Sequence, residues 1–114
     1  FTNYDEIIDD PKKAKAFQLL MYAYLFLKMN PSHMRADIVA GNFSFKNLKL
    51  GLLKLAIKKS GSKKEVLNID NSVLDEFEKQ LAILLNKIVN EDFEQTNDIK
   101  VCEWCDYKLI CQRN

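Results

Sequence analysis

A long helix is predicted by residues 11–29, which read PKKAKAFQLLMYAYLFLKM. Strong helix formers fill this segment, and no glycine or second proline interrupts it. Asp10 and Pro11 fit a helix start, because an N-cap carboxylate accepts from free backbone amides and proline suits the first helical position. Residues 19–27 are apolar on every face, so we expect this helix to be buried on most sides.

Within this helix, Gln18, Tyr22 and Phe26 follow one another at four-residue spacing and therefore share one stripe. Two interpretations are open for the first two residues. Tyr22 fits a core residue with Gln18 at the boundary of the core. Both also fit a functional site, because a Gln amide donates and accepts and a Tyr hydroxyl donates.

A second helix is predicted over 72–90, where apolar residues fall at three- and four-residue spacing. These positions are Val73, Leu74, Phe77, Leu81, Leu84, Leu85 and Ile88. Asp70, Asn71 and Ser72 are N-cap candidates, and Ser72 with Asp75 forms an imperfect capping box. The spacing predicts an amphipathic helix that buries one face.

Strands and turns are predicted between the two helices. Residues 35–45 alternate loosely and indicate a strand that bends at Gly41. Residues 48–58 fit a strand or a short helix, because so short an apolar run does not decide between them. Ser60-Gly61-Ser62 indicates a turn, and 63–69 a short strand.

The length and composition fit one globular domain, since the 114 residues are 47% hydrophobic and 29% charged. We expect an α/β fold, of α+β type in this chain. Its predicted parts are the helix over 11–29, the strand and turn region over 35–69, the helix over 72–90 and a cysteine-rich tail over 100–114.

We expect no signal peptide and no membrane span in this sequence. The amino end is acidic and has no apolar run followed by a cleavage site, and the uncharged stretch 16–27 is too short to span a bilayer. We therefore expect a cytoplasmic protein with no membrane partner. The first residue is Phe1 rather than Met, which indicates a fragment of a longer protein.

Charge is distributed unevenly although the formal net charge is only +1. The first ten residues contain four acids: Asp5, Glu6, Asp9 and Asp10. One interpretation is that these carboxylates bind a metal ion. A helix start explains these acids better, because carboxylates suit the positive end of the helix dipole. Asp10 and Lys12 also form the Asp-x-Lys triplet of nucleases, but Pro11 argues against the central strand which that triplet needs.

The three cysteines, Cys102, Cys105 and Cys111, all lie within ten residues. Two thiolates separated by two residues can reach one metal, and a third thiolate, separated from the second by five residues, can return to it. A fourth donor must come from outside this chain or the site is incomplete, because the single histidine, His33, lies far upstream. A disulfide and inert cysteines are the alternatives.

Taken together, these features resemble the carboxy-terminal part of a PD-(D/E)XK nuclease of the RecB and AddB type, related to the CRISPR-associated iron–sulfur exonucleases. Gln18 and Tyr22 are similar to the Gln-x-x-x-Tyr motif of that family. The ending Cys102-x-x-Cys105-x5-Cys111 matches its three terminal cysteines. The strand region and the second helix lie between the two motifs in the same order.

The resemblance implies a partial restriction-endonuclease-like fold from a DNA exonuclease in a helicase–nuclease system that repairs double-strand breaks. Gln18 and Tyr22 would border the active site. The Mg²⁺-binding Asp and the Glu-x-Lys or Asp-x-Lys precede the Gln-x-x-x-Tyr helix in such enzymes, so we expect this chain to lack them and to be inactive alone. The expected partners are DNA and a helicase domain or subunit.

The resemblance also implies a structural 4Fe-4S cluster on Cys102, Cys105 and Cys111, with the fourth ligand outside this chain; zinc or an empty site are alternatives here. From Ile38 to Lys64 the chain has seven lysines and no acid. Those expected to contact DNA are Lys46, Lys49, Lys54 and Lys58, together with Arg113. The alternative for the lysines is a solvated face that protects edge strands.

A non-enzymatic interpretation is also open. In it, the three cysteines and an outside donor hold zinc, and the lysine-rich face meets nucleic acid or another protein.

Overall fold

Helices and two small sheets make up the structure, a computed structural model that describes residues 1–35, 37–58 and 63–113. The helices are α1 (Glu6–Asp9), α2 (Ala14–Met29), α3 (Asn71–Asn90) and α4 (Ile99–Cys102). The strands are β1 (Gly41–Phe43), β2 (Leu52–Lys54), β3 (Ala56–Lys58) and β4 (Lys64–Val66), and 3-10 turns cover Pro11–Lys13, Pro31–Arg35 and Leu48–Leu50. This mixture confirms the α+β class.

Aspartate side chains cap the amino-terminal ends of the two long helical segments. Asp10 accepts a hydrogen bond from the backbone amide of Lys12 at 3.0 Å, with Pro11 at the first position of the turn that leads into α2. Asp70 accepts from the amide of Val73 at 3.0 Å. The capping box predicted for Ser72 is wrong, because Ser72 lies inside α3 and its hydroxyl donates to Asp70 at 2.7 Å.

The sheets share one continuous segment. β1 pairs antiparallel with β2, and β3 pairs antiparallel with β4. Leu55 joins β2 to β3, since its amide donates to the Ala40 carbonyl at 2.7 Å and its carbonyl accepts from the Leu67 amide at 2.9 Å. Residues 48–58, which fitted a strand or a short helix, therefore form a 3-10 turn at Leu48–Leu50 followed by the strands β2 and β3.

The strand predicted over 35–45 is wrong in length. Arg35 ends a 3-10 turn, and the amide of Ile38 donates to the Asn68 side chain rather than to a neighbouring strand. Regular strand pairing within this segment is limited to β1, which pairs with β2. The two strands lie so close together at Gly41 that a Cβ atom there would be 2.7 Å from the Leu53 carbonyl oxygen. The turn predicted at 60–62 lies outside the described residues.

One core joins α1, α2 and α3 to the strand region. Its buried members are Ile7, Leu20, Ala23, Leu27, Leu55, Leu67, Ile69, Val73, Leu74 and Phe77. The burial predicted for most sides of α2 is wrong, because Leu20, Ala23 and Leu27 are buried whereas its other face is exposed at Tyr22, Leu25 and Phe26. Among the described residues, no helix has the length and apolar character to cross a membrane.

Candidate nucleic-acid interface

The uncovered face of α2 presents a pair of polar side chains. The Nε2 of Gln18 donates to the Oη of Tyr22 at 2.9 Å. Both residues are exposed, and Tyr22 retains 60% of its accessible surface. The interpretation of Tyr22 as a core residue is therefore wrong. The α-helical spacing of four residues is what aligns the two groups.

This pair lies in an open depression of about 430 Å³, which Lys15 and Met21 also line. One hydrogen bond leaves the Gln18 side chain with a second N–H and a carbonyl oxygen. The Tyr22 ring keeps an accessible face. These groups can donate to a phosphate oxygen and contact a base or sugar, while Lys15 adds a positive charge.

A second depression, of about 410 Å³, gathers lysines from distant parts of the chain. Lys13, Lys54, Lys58 and Lys64 line it, together with Phe1, Thr2 and Ala56. The sequence had singled out Lys54 and Lys58 for nucleic-acid contact. The other two lysines expected to contact DNA, Lys46 and Lys49, are exposed in the segment between β1 and β2 and do not line this depression.

Lys13 precedes α2 and was not predicted as a contact, because no local pattern relates it to lysines more than forty positions later.

The three cysteines occupy different environments at the end of the chain. Cys102 is buried, Cys105 is half-buried and Cys111 is exposed, and all three are free thiols. A single turn links the first two, since the Cys105 amide donates to the Cys102 carbonyl at 3.1 Å. Across the described ranges, no three or more His, Cys, Asp or Glu side chains are grouped so that they could hold a metal ion. This arrangement does not fit a cluster as it stands.

Arg113 ties the tail to the preceding segment. Its Nη2 donates to the Gln95 side-chain oxygen at 3.0 Å and to the Thr96 carbonyl at 2.8 Å. Gln95 in turn donates to the Cys111 carbonyl at 2.5 Å. The Nε of Arg113 is buried without a hydrogen-bond partner. The Nη2 group of Arg113, which was expected to contact DNA, therefore donates inside the chain.

Each of the four amino-terminal acids has a structural contact. Asp5 accepts from Gln80, Glu6 from the Thr2 amide, Asp9 from Lys87 and Asp10 from the Lys12 amide. Because Asp10 caps the turn before α2, the Asp10–Lys12 triplet is not on a strand. The interpretation of these acids as a helix start is confirmed for Asp10.

Comparison with known families gives one match. The model described as the PD-(D/E)XK nuclease superfamily matches residues 3–112. No curated protein and no solved structure matches the chain.

Proposed function

The chain belongs to the PD-(D/E)XK nuclease superfamily, and on that premise we propose that it is the carboxy-terminal region of a metal-dependent DNA exonuclease. The match over residues 3–112 is the observation that carries this proposal. Membership implies that nucleic acid is the ligand, and the helices with small antiparallel sheets are consistent with a restriction-endonuclease-like fold. We place the whole protein in the cytoplasm, in a helicase–nuclease system that processes double-strand breaks.

In this proposal, Gln18 and Tyr22 position the strand that is to be cut. Three observations support that role: both side chains are exposed, they are joined by a 2.9 Å hydrogen bond, and they line one depression with Lys15. The hydrogen bond restrains both side chains before the ligand arrives. A restrained donor next to an aromatic ring holds a nucleotide at a lower entropic cost than two independent side chains would.

The groups that cut are proposed to lie in a part of the protein outside this chain. Asp5, Glu6, Asp9 and Asp10 are engaged in structural contacts, and the described residues show no cluster that could hold a metal ion. We propose that the contribution of this chain is to bind and orient the substrate.

The cysteines are proposed to hold an iron–sulfur cluster with a ligand from elsewhere in the protein. Their spacing and the turn shared by Cys102 and Cys105 support this proposal. Because the described arrangement does not gather the three thiols, cluster binding requires the tail to change conformation. Iron and acid-labile sulfide measured after anaerobic purification of the full-length protein test this; stoichiometric zinc would instead favour a non-enzymatic binding module.

Nuclease activity is tested on the full-length protein and on this chain with linear DNA and Mg²⁺. The full-length protein should cut, the chain alone should not, and Gln18→Ala in the full-length protein should reduce cutting by about tenfold or more, because misplaced substrate loses rate steeply. Met29→Ala is the matched control, since Met29 lies on the same helix with 80% of its surface exposed. Cutting by the chain alone that is abolished by Asp10→Ala would contradict the proposal.

A further inference from the structure

The four lysines of the second depression, Lys13, Lys54, Lys58 and Lys64, are placed on one surface by the strand register. Lys58 pairs directly with Lys64 across β3 and β4, so both side chains project from the same face of the sheet. Lys54, Ala56 and Lys58 alternate along the continuous segment of β2 and β3 and therefore share a face. Lys13 approaches from the turn before α2.

This arrangement costs the protein stability in the absence of an anion. Like charges directly opposite each other in an antiparallel pair are destabilising. No acid is among the residues that line the depression. Ion pairs of the described residues join Lys28 with Glu78, Lys79 with Glu76 and Lys87 with Asp9. The lysine charges of the depression are therefore not neutralised by these contacts.

We propose that this four-lysine pocket binds phosphate groups along the backbone of a nucleic-acid strand, an inference that rests on the proposed nuclease function and adds a site to it. Lysine is a point charge that suits phosphate without reading sequence. A volume of about 410 Å³ accommodates phosphates of neighbouring nucleotides. The pocket joins β2, β3 and β4 to the turn before α2, so a strand bound there crosses both sheets.

The test measures binding of this chain to a fluorescent single-stranded DNA oligonucleotide by anisotropy over a series of salt concentrations. Lys58→Gln/Lys64→Gln removes the opposed pair, so the slope of log K against log salt should fall by about 1.4, at about 0.7 per single-strand phosphate contact. The affinity should fall by at least tenfold at low salt. The control Lys12→Gln/Lys79→Gln removes the same charge outside the pocket and should bind as the unmodified chain does.

Urea unfolding shows that a loss of binding is not a loss of folding. The Lys58→Gln/Lys64→Gln variant should be at least as stable as the unmodified chain, because it lacks the like-charge pair. Equal losses of binding in the pocket and control variants would overturn the proposal, as would unchanged binding in the pocket variant. So would inorganic triphosphate binding to the pocket with no binding of the oligonucleotide, since the ligand would then be a free polyphosphate.

The two proposals fail separately. DNA bound through the pocket, with no cutting by the full-length protein, would contradict the nuclease function and support the pocket. Cutting that is unaffected by Lys58→Gln/Lys64→Gln, together with unchanged binding of the oligonucleotide, would overturn the pocket and support the nuclease function.

Discussion

Asp70 is the residue that begins α3, and its carboxylate is held by two donors. The Ser72 hydroxyl lowers the pKa of Asp70 below its ordinary value of 3.8, and the Val73 amide lowers it further. A carboxyl group whose pKa is lower in the folded state stabilises the fold in its ionised form. This contribution is complete above about pH 4 and is lost as the pH falls through the folded pKa.

We therefore predict that Asp70→Asn changes the pH dependence of stability. Asn caps a helix nearly as well as Asp, but it lacks the charge that interacts with the helix dipole. The variant should be less stable by at most about 1 kcal/mol at pH 7, and the difference should shrink when the pH is lowered to 3. Urea unfolding followed by circular dichroism at both pH values measures this. A difference that persists undiminished at pH 3 would rule out the charge as its cause.

At the scale of elements, the cysteine-rich tail is a short helix and a series of turns held by a few polar contacts. Arg113 bonds to Gln95 and Thr96, and Gln95 returns a bond to the Cys111 carbonyl. Trp104 is 88% exposed, so little apolar burial supports the segment. We infer that these polar contacts set how often the tail opens.

Arg113→Ala is predicted to make Cys102 more reactive. In a Cys105→Ser/Cys111→Ser background only Cys102 remains, and its thiol is 8% exposed. The variant loses the hydrogen bonds of the charged Arg113 side chain, so the tail should open more often. The Cys102 thiol should then react with a thiol reagent about tenfold faster. Lys108→Ala in the same background is the control, because its side chain is exposed. Equal rates in all three proteins would show that Arg113 does not hold the tail closed.

At the scale of the whole molecule, Phe77 of α3 is a central residue of the core that α1, α2 and α3 share. Its side chain is fully buried, and the rings of Phe17 and Tyr24 lie 5.7 Å from it. These contacts pack α3 against α2, and the same core includes Ile7 of α1. Gln80, three residues later in α3, donates to Asp5 at 2.7 Å and adds a polar link to the amino end.

Phe77→Ala should destabilise the fold by about 3–5 kcal/mol, which is a large part of the stability of a small domain. Phe93→Ala removes the same atoms from a side chain that is 86% exposed and should change stability by less than about 0.5 kcal/mol. Urea unfolding of both variants measures the difference. Similar stabilities for the two would mean that Phe77 is not central to the core.

Local signals identified the helices and the residues that begin them. The spacing of apolar residues predicted α3 to within one residue, and Asp10 with Pro11 predicted the start of the segment that becomes α2. Gln18 and Tyr22 were singled out by their similarity to the Gln-x-x-x-Tyr motif, and the helix brings their side chains together because they lie four residues apart. These features depend on interactions between residues close in the chain, which the amino-acid order contains directly.

Long-range packing decided the rest. Whether Tyr22 is buried depends on what covers α2, and periodicity within α2 carries no information about that. β1 begins later than predicted because the residues before it bond to distant partners, as Ile38 does to Asn68. Lys13 lines the same depression as Lys54, Lys58 and Lys64 because α2 packs next to the sheets. Such proximity between residues far apart in sequence is set by the tertiary fold.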